Sequence, residues 1–187
     1  MDTIPAIKKI VVLGPESTGK STLCEKLAAH FKTHWVKEYA REYLHKEGNK
    51  YAFEDLFIIS LGQLAGEDEA TKLMQKAQCD SKLLFIDTDL HVIMIWSEFV
   101  FNKTDNRILD GIAKREYDLY LLCDTDLPWI KDELREYPDL KTRKQLFHYF
   151  KVSMADQGKP WVIISGNYDK RLQSAISAVN HFVSPIV

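Results

Sequence analysis

The chain has few cysteines, no repeats or low-complexity tracts, no excess of charge of one sign and no long apolar run. Each absence removes a class of protein. Cys24, Cys79 and Cys123 are widely spaced, form no C-x-x-C pair and have no histidines at ligand spacing beside them. That argues against a disulfide framework or zinc site and for reduced thiols. The six histidines, His30 and His34 among them, fall in no catalytic or metal-binding arrangement. Lysine and arginine number 25 against 27 acidic residues, with the signs interspersed. Such a surface lacks the basic face of a nucleic-acid binder, and no nucleic-acid partner is expected. No stretch approaches the roughly 18 apolar residues of a membrane span, and the N-terminus has no apolar segment of signal-peptide length. A cytoplasmic location without a membrane partner is the expectation. A length of 187 residues suits one domain over 1–187 that buries its own core without staples.

Against these absences stands one dense motif. Gly14-Pro15-Glu16-Ser17-Thr18-Gly19-Lys20-Ser21 reads G-x-x-x-x-G-K-S, between the apolar run Ile10–Leu13 and a stretch where Leu23, Leu27 and Phe31 share a helical face. Strand, loop and helix in that order are the context of a phosphate-binding P-loop. Two glycines let the backbone curl round a phosphate with its N–H groups inward, and the following helix presents its positive end to the same anion. Gly14, Glu16, Ser17, Thr18, Gly19, Lys20, Ser21 and Thr22 are therefore the expected nucleotide-binding set. Lys20 is expected to bridge the outer phosphates and the Ser21 hydroxyl to ligate Mg²⁺.

Five short apolar runs read as buried parallel strands: Ile10–Leu13, Trp35–Lys37, Leu83–Ile86, Leu119–Cys123 and Trp161–Ile164. Helical periodicity fills the gaps. Phe53 to Ala77 reads as one long helix, or two joined near Gly66, and further helices cover Leu90–Val100, Arg107–Glu116, Leu140–Met154 and Asp169–Phe182. The alternation predicts an α/β fold of P-loop NTPase type, a five-stranded parallel sheet flanked by helices, with chemistry just after each strand.

The residues after the strands supply candidates. Leu83–Ile86 ends in Asp87-Thr88-Asp89, a Walker B pattern in which Asp87 would hold Mg²⁺. Asp89 would reach substrate or cap the next helix. Glu38 and Arg41 follow the second strand, where a carboxylate can take a proton from an attacking hydroxyl and an arginine can hold the acceptor. Glu38 is the first choice of base, with Asp87 and Asp89 left open. After the fourth strand a charged, proline-interrupted segment over about 125–145 has the composition of a small lid, and its Arg135 and Arg143 would neutralise a transferring phosphoryl group. Asn102-Lys103-Thr104-Asp105 matches the guanine-reading N-K-x-D, but it follows a helical stretch and no D-x-x-G precedes it, so it reads as coincidence.

In order and spacing, GPESTGKSTL, EYAREYL, GQLAGEDEA, LLFIDTDL with WSEFVF behind it, and YDLYLLCDTDLPWIKDELRE resemble the ribosylnicotinamide kinase domain of NadR-type proteins, from about Ile10 to Phe150. The resemblance implies ATP with Mg²⁺ as the phosphoryl donor and the ribose 5′-hydroxyl of nicotinamide riboside as acceptor. NadR-type proteins also carry an adenylyltransferase domain, sometimes with a DNA-binding domain. This sequence has room for neither, so it resembles a free-standing kinase module whose acceptor can differ from theirs. A positive pyridinium ring favours an aromatic face and carboxylates. Trp129 beside Asp124 and Asp126 can supply these, as can Trp96 behind Asp87 and Asp89, and both tryptophans equally suit a core. A kinase for another nucleoside or small hydroxyl acceptor, and a slow regulatory ATPase switch, remain as alternatives. The missing D-x-x-G and the arginine-bearing lid favour a kinase.

Overall fold

All five short apolar runs enter one parallel sheet, the inner ones covered on both faces as such runs suit, while the edge run Trp161–Ile164, expected to be buried, leaves Val162 and Ile163 exposed. The computed structural model describes residues 6–77, 79 and 81–184. Strands β1 (Lys8–Leu13), β2 (Trp35–Val36), β3 (Leu83–Asp87), β4 (Leu119–Cys123) and β5 (Trp161–Ile164) lie in the order β2-β3-β1-β4-β5. Helices α1 (Lys20–His30), α2 (Tyr39–Glu47), α3 (Phe53–Lys76), α4 (Leu90–Phe101), α5 (Asn106–Lys114), α6 (Leu140–Asp156) and α7 (Tyr168–Val183) connect them. Alternate side chains of each strand point to opposite faces. Ile10, Val12, Phe85 and Leu121 pack on one face with Leu23 and Leu27 of α1 and Ala175 and Val179 of α7. Val11, Leu13, Leu84, Ile86 and Leu122 pack on the other with Met74, Ile95, Leu146 and Phe150 of α3, α4 and α6.

Two departures from the sequence expectation bear on the site, at β2 and before α6, and one alternative left open, at α3, is decided for the single long helix. β2 stops at Val36 instead of Lys37, because the chain leaves the sheet edge at once to start α2 with Glu38 as its N-cap residue. α3 runs unbroken through Gly66, the second of its two glycines. The first, Gly62, is where the Tyr39 ring lies on the helix, so close that a Cβ would stand 2.1 Å from it. The irregular connection after β4 ends at Asp139, whose side chain accepts from the Thr142 N–H at 2.7 Å and caps α6. The expected lid over 125–145 is thereby shortened, and Arg143 stands on α6. The N-K-x-D string is a helix break. Asn102 caps α4 at φ 54, and Asp105 caps α5 while holding Arg107.

Among the buried polar groups, one lies beneath the sheet far from the P-loop in sequence. Glu67 of α3 has no exposed surface and accepts from the Tyr117 hydroxyl at 2.9 Å, with Lys9 Nζ 3.9 Å away. Burial raises its pKa from 4.5 to about 7, against the opposing pull of Tyr117 and Lys9. Between these two values the folded chain holds a proton that the unfolded chain has released, so stability falls as pH rises through that window. Glu67→Gln removes the ionisation. The variant should gain on the parent by about 2–3 kcal/mol between pH 4.5 and pH 8, measured by urea unfolding. Parallel pH–stability curves would contradict the assignment.

Candidate active site

The site begins where β1 ends. Gly14 has φ 138, and a Cβ there would lie 2.6 Å from the Cys123 carbonyl oxygen, so no other residue fits this turn against β4. Ser17 and Gly19 follow at φ 57 and 77. A loop so curled converges its N–H groups on one side, leaving carbonyls that need donors elsewhere. They are met one by one. Pro15 O accepts from Thr18 Oγ1 at 2.7 Å and Lys20 Nζ at 3.0 Å, Thr18 O from Arg171 at 3.0 Å, and Ser17 O from Arg143 at 3.3 Å.

Parallel pairing sets Asp87 opposite Val12, beside the loop. Asp87 is 1% exposed, and neither carboxylate oxygen makes a well-formed hydrogen bond. Its pKa is pushed up to about 6, first by burial and then by the negative charge of Glu38, while Lys20, the Ser21 hydroxyl and Arg41 hold it down. Two orphaned oxygens beside a hydroxyl at a phosphate cradle form an oxygen donor set that fits Mg²⁺. Among the described residues no cluster of three His, Cys, Asp or Glu side chains suffices for a metal, so phosphate and water would complete the shell. Magnesium commonly binds in that way.

A cavity of about 600 Å³ extends from the loop. All eight expected nucleotide-binding residues line it, as do Glu38, Arg41, Trp96 and Arg135. Asp87 lines an adjoining cavity of about 470 Å³ that shares Ser21, Glu38 and Arg41 with the first. Three expected residues line neither. Asp89, expected to reach substrate, is fully buried; its carboxylate caps α4 through the His91 N–H at 3.1 Å and pairs with His91 Nδ1 at 2.6 Å. The capping alternative describes its place. Trp129 turns its Nε1 to Glu16 at 3.3 Å, and neighbouring Asp126 is taken up by Arg171 and the Gly166 N–H, so this tryptophan–acid pair does not form the acceptor corner. Arg143 is 2% exposed and donates to the Ser17 and Leu127 carbonyls, as a strut behind the loop rather than a lid residue.

Other residues enter the site unannounced. Gln63 of α3 accepts from the Tyr39 N–H at 2.9 Å and donates to the Thr88 carbonyl at 2.9 Å, tying the start of α2 to the end of β3. Tyr51 accepts from Trp96 Nε1 at 2.6 Å in the cavity wall, and Glu136 stands close enough to raise the Tyr51 pKa. Arg171 grips a carbonyl 153 positions away, a contact without any local sequence signal.

A phosphate cradle at the carboxyl end of the central strand of a β2-β3-β1-β4-β5 parallel sheet defines a P-loop NTPase domain. The chain belongs to the AAA domain family, whose model matches residues 9–171. It is 28% identical over 182 residues to the trifunctional NAD biosynthesis/regulator protein NadR of Salmonella typhimurium and, to the same degree, of Escherichia coli, covering 95% of this chain. The chain spans 43% of the length of these relatives. A crystal structure of NadR in complex with NR superposes with a TM-score of 0.77 at 24% identity, covering 94% of this chain and 49% of that one. Thymidylate kinase from Ehrlichia chaffeensis follows the same fold with a TM-score of 0.66 at 13% identity, covering 94% of this chain and 100% of that one.

The segment between β4 and α6 is fastened to the P-loop itself. The Glu16 carboxylate accepts from the Glu136 N–H at 3.0 Å and the Tyr137 N–H at 2.6 Å besides Trp129, and Ser17 Oγ accepts from the Ile130 N–H at 3.0 Å. Arg41 holds Asp132 from the opposite bank at 3.1 Å. Glu16→Ala should free the segment and leave α6 unmoved. Hydrogen exchange at the Glu136 and Tyr137 amides is expected to quicken by about tenfold or more, with α6 amides unchanged. Equal exchange in parent and variant would show that the segment is held by other contacts.

Proposed function

We propose that the protein is an ATP-dependent kinase that phosphorylates the ribose 5′-hydroxyl of nicotinamide riboside to give nicotinamide mononucleotide and ADP. One observation carries the reading: a single cavity joins the phosphate cradle to a corner built from Trp96, Tyr51 and Glu136. Aromatic faces beside a carboxylate attract a cationic ring. Trp96 is stiffened there by the Tyr137 ring, edge-on at 5.5 Å between centroids. The likeness to NadR over 95% of this chain supports the same substrate.

In the proposed reaction the acceptor hydroxyl oxygen bonds the γ-phosphorus while the bond from that phosphorus to the β–γ bridging oxygen breaks, and ADP departs with the electron pair. Glu38 takes the hydroxyl proton. It is favoured over Asp89, whose carboxylate is engaged by His91, and over Asp87, which is buried beside Ser21. Arg41, 3.8 Å from Glu38 and paired with Asp132, orients that base. Lys20 and Arg135 offset charge on the moving phosphoryl group. Ser21 and Asp87 would hold Mg²⁺, which when bound neutralises phosphate charge.

Two measurements test the reading. Lys20→Ala should keep the fold by circular dichroism and lose turnover by about a thousandfold or more; near-native turnover would exclude the role. Nicotinamide riboside should be phosphorylated with a kcat/KM about tenfold or more above that of uridine or adenosine. Trp96→Ala should shrink that preference with basal ATP hydrolysis nearly unchanged. A neutral nucleoside preferred by the parent would assign the site to a different acceptor.

A further inference from the structure

The turn after β3 concentrates two unfavourable features in one residue. Thr88 sits at φ 74, a left-handed conformation that β-branched residues avoid. The residue is 2% exposed, and its hydroxyl is buried without a hydrogen-bond partner although the residue lines the main cavity. The connection itself requires neither feature. Glycine would take the same φ without strain, and valine would fill the same volume without an unpaired hydroxyl. The surroundings hold the turn in place. The Thr88 N–H donates to Val12 O at 3.1 Å, and Gln63 Nε2 donates to Thr88 O at 2.9 Å while its Oε1 accepts from Tyr39 at the start of α2. Strain and unsatisfied polar groups that persist under such restraint mark ligand contacts.

The position indicates which part of a ligand is met. Along the chain, Asp87 lines the adjoining cavity beside the P-loop, and the next residue, Thr88, lines the main cavity with Val92 and Trp96 of α4. Thr88 therefore stands between the phosphate end and the aromatic corner. In the acceptor reading above, on which this step rests, the sugar lies there. A hydroxyl both donates and accepts, which matches a sugar hydroxyl. We propose that Thr88 is a specificity-determining residue whose hydroxyl binds a ribose hydroxyl of the acceptor and turns its 5′-hydroxyl toward Glu38 and the P-loop.

The test uses the whole chain with ATP, Mg²⁺ and riboside acceptors. Thr88→Val should lower kcat/KM for the acceptor by about 10- to 100-fold with the KM for ATP unchanged, while Thr88→Ser stays within about threefold of the parent. The loss in Thr88→Val should shrink below about threefold with either the 2′-deoxy or the 3′-deoxy acceptor, because the partner hydroxyl is then already missing. Thermal unfolding of Thr88→Val should occur at or above the parent's Tm, since a methyl group replaces an unpaired hydroxyl. Parent-like acceptor kinetics, a loss that persists with both deoxy acceptors, a changed KM for ATP or a lowered Tm would each overturn the assignment of Thr88 alone. A parent protein that phosphorylates no riboside would overturn the proposed function and this assignment with it.

Discussion

A P-loop turns its N–H groups to one side, and the carbonyls it turns to the other are the constraint on which much of this chain depends. A buried carbonyl without a donor costs about as much as a lost hydrogen bond. The chain meets the cost with two guanidiniums brought from distant helices, Arg143 on α6 and Arg171 on α7, both 2% exposed. Arg171 also receives Asp126 and donates to the Asp124 carbonyl. The loop, the exit of β4 and the start of α7 are thereby locked together. The docking of α6 and α7 on opposite faces is thus tied to the loop's shape, and the Cys123 carbonyl behind Gly14 leaves the loop no room to retreat.

The Asp87-Thr88-Asp89 triplet shows how one short string is divided by backbone geometry. Asp87 ends a strand and presents an unpaired carboxylate beside the cradle. Thr88 bends left-handed, and that bend carries Asp89 past the cavity into the cap of α4 and the embrace of His91. Two chemically identical residues two positions apart therefore differ in every respect that matters. The first is unsatisfied and faces a site, while the second is satisfied and faces the core. Gln63 secures the division, since it holds the bend and the start of α2 with one amide.

The layout of the sheet was legible because each buried strand is a contiguous apolar run and each helix repeats at its own period. The P-loop residues were legible for a similar reason, as their chemistry is written in adjacent positions. What sequence could not supply were pairings across long separations. Arg143 reads as a lid residue from its place after β4, but the cap at Asp139 begins α6 early enough to carry it behind the loop. Trp129 and Trp96 are equivalent in sequence, each near two aspartates. They are separated in space because Asp126 and Glu16 are drawn into contacts on the P-loop side. Glu136 escapes notice for the opposite reason, being one charge among several in a polar segment until Tyr51, from the connection between α2 and α3, and Trp96, from α4, join it in the cavity wall.

These contacts also settle which charges remain to act on a ligand. Glu16 lines the cavity, yet its carboxylate is engaged by Trp129 and the Glu136 and Tyr137 N–H groups. Asp132 is similarly engaged by Arg41 and the Leu134 N–H. Glu38 remains beside the P-loop, with Arg41 3.8 Å away and Asp87 near enough to feel its charge, and Glu136 remains beside Tyr51, where burial raises its pKa. Both line one cavity, and in the proposed reaction the first would accept a proton while the second would favour a cation. Because Glu136 is carried by the segment that Glu16 fastens to the P-loop, the phosphate cradle and the aromatic corner are linked through one carboxylate.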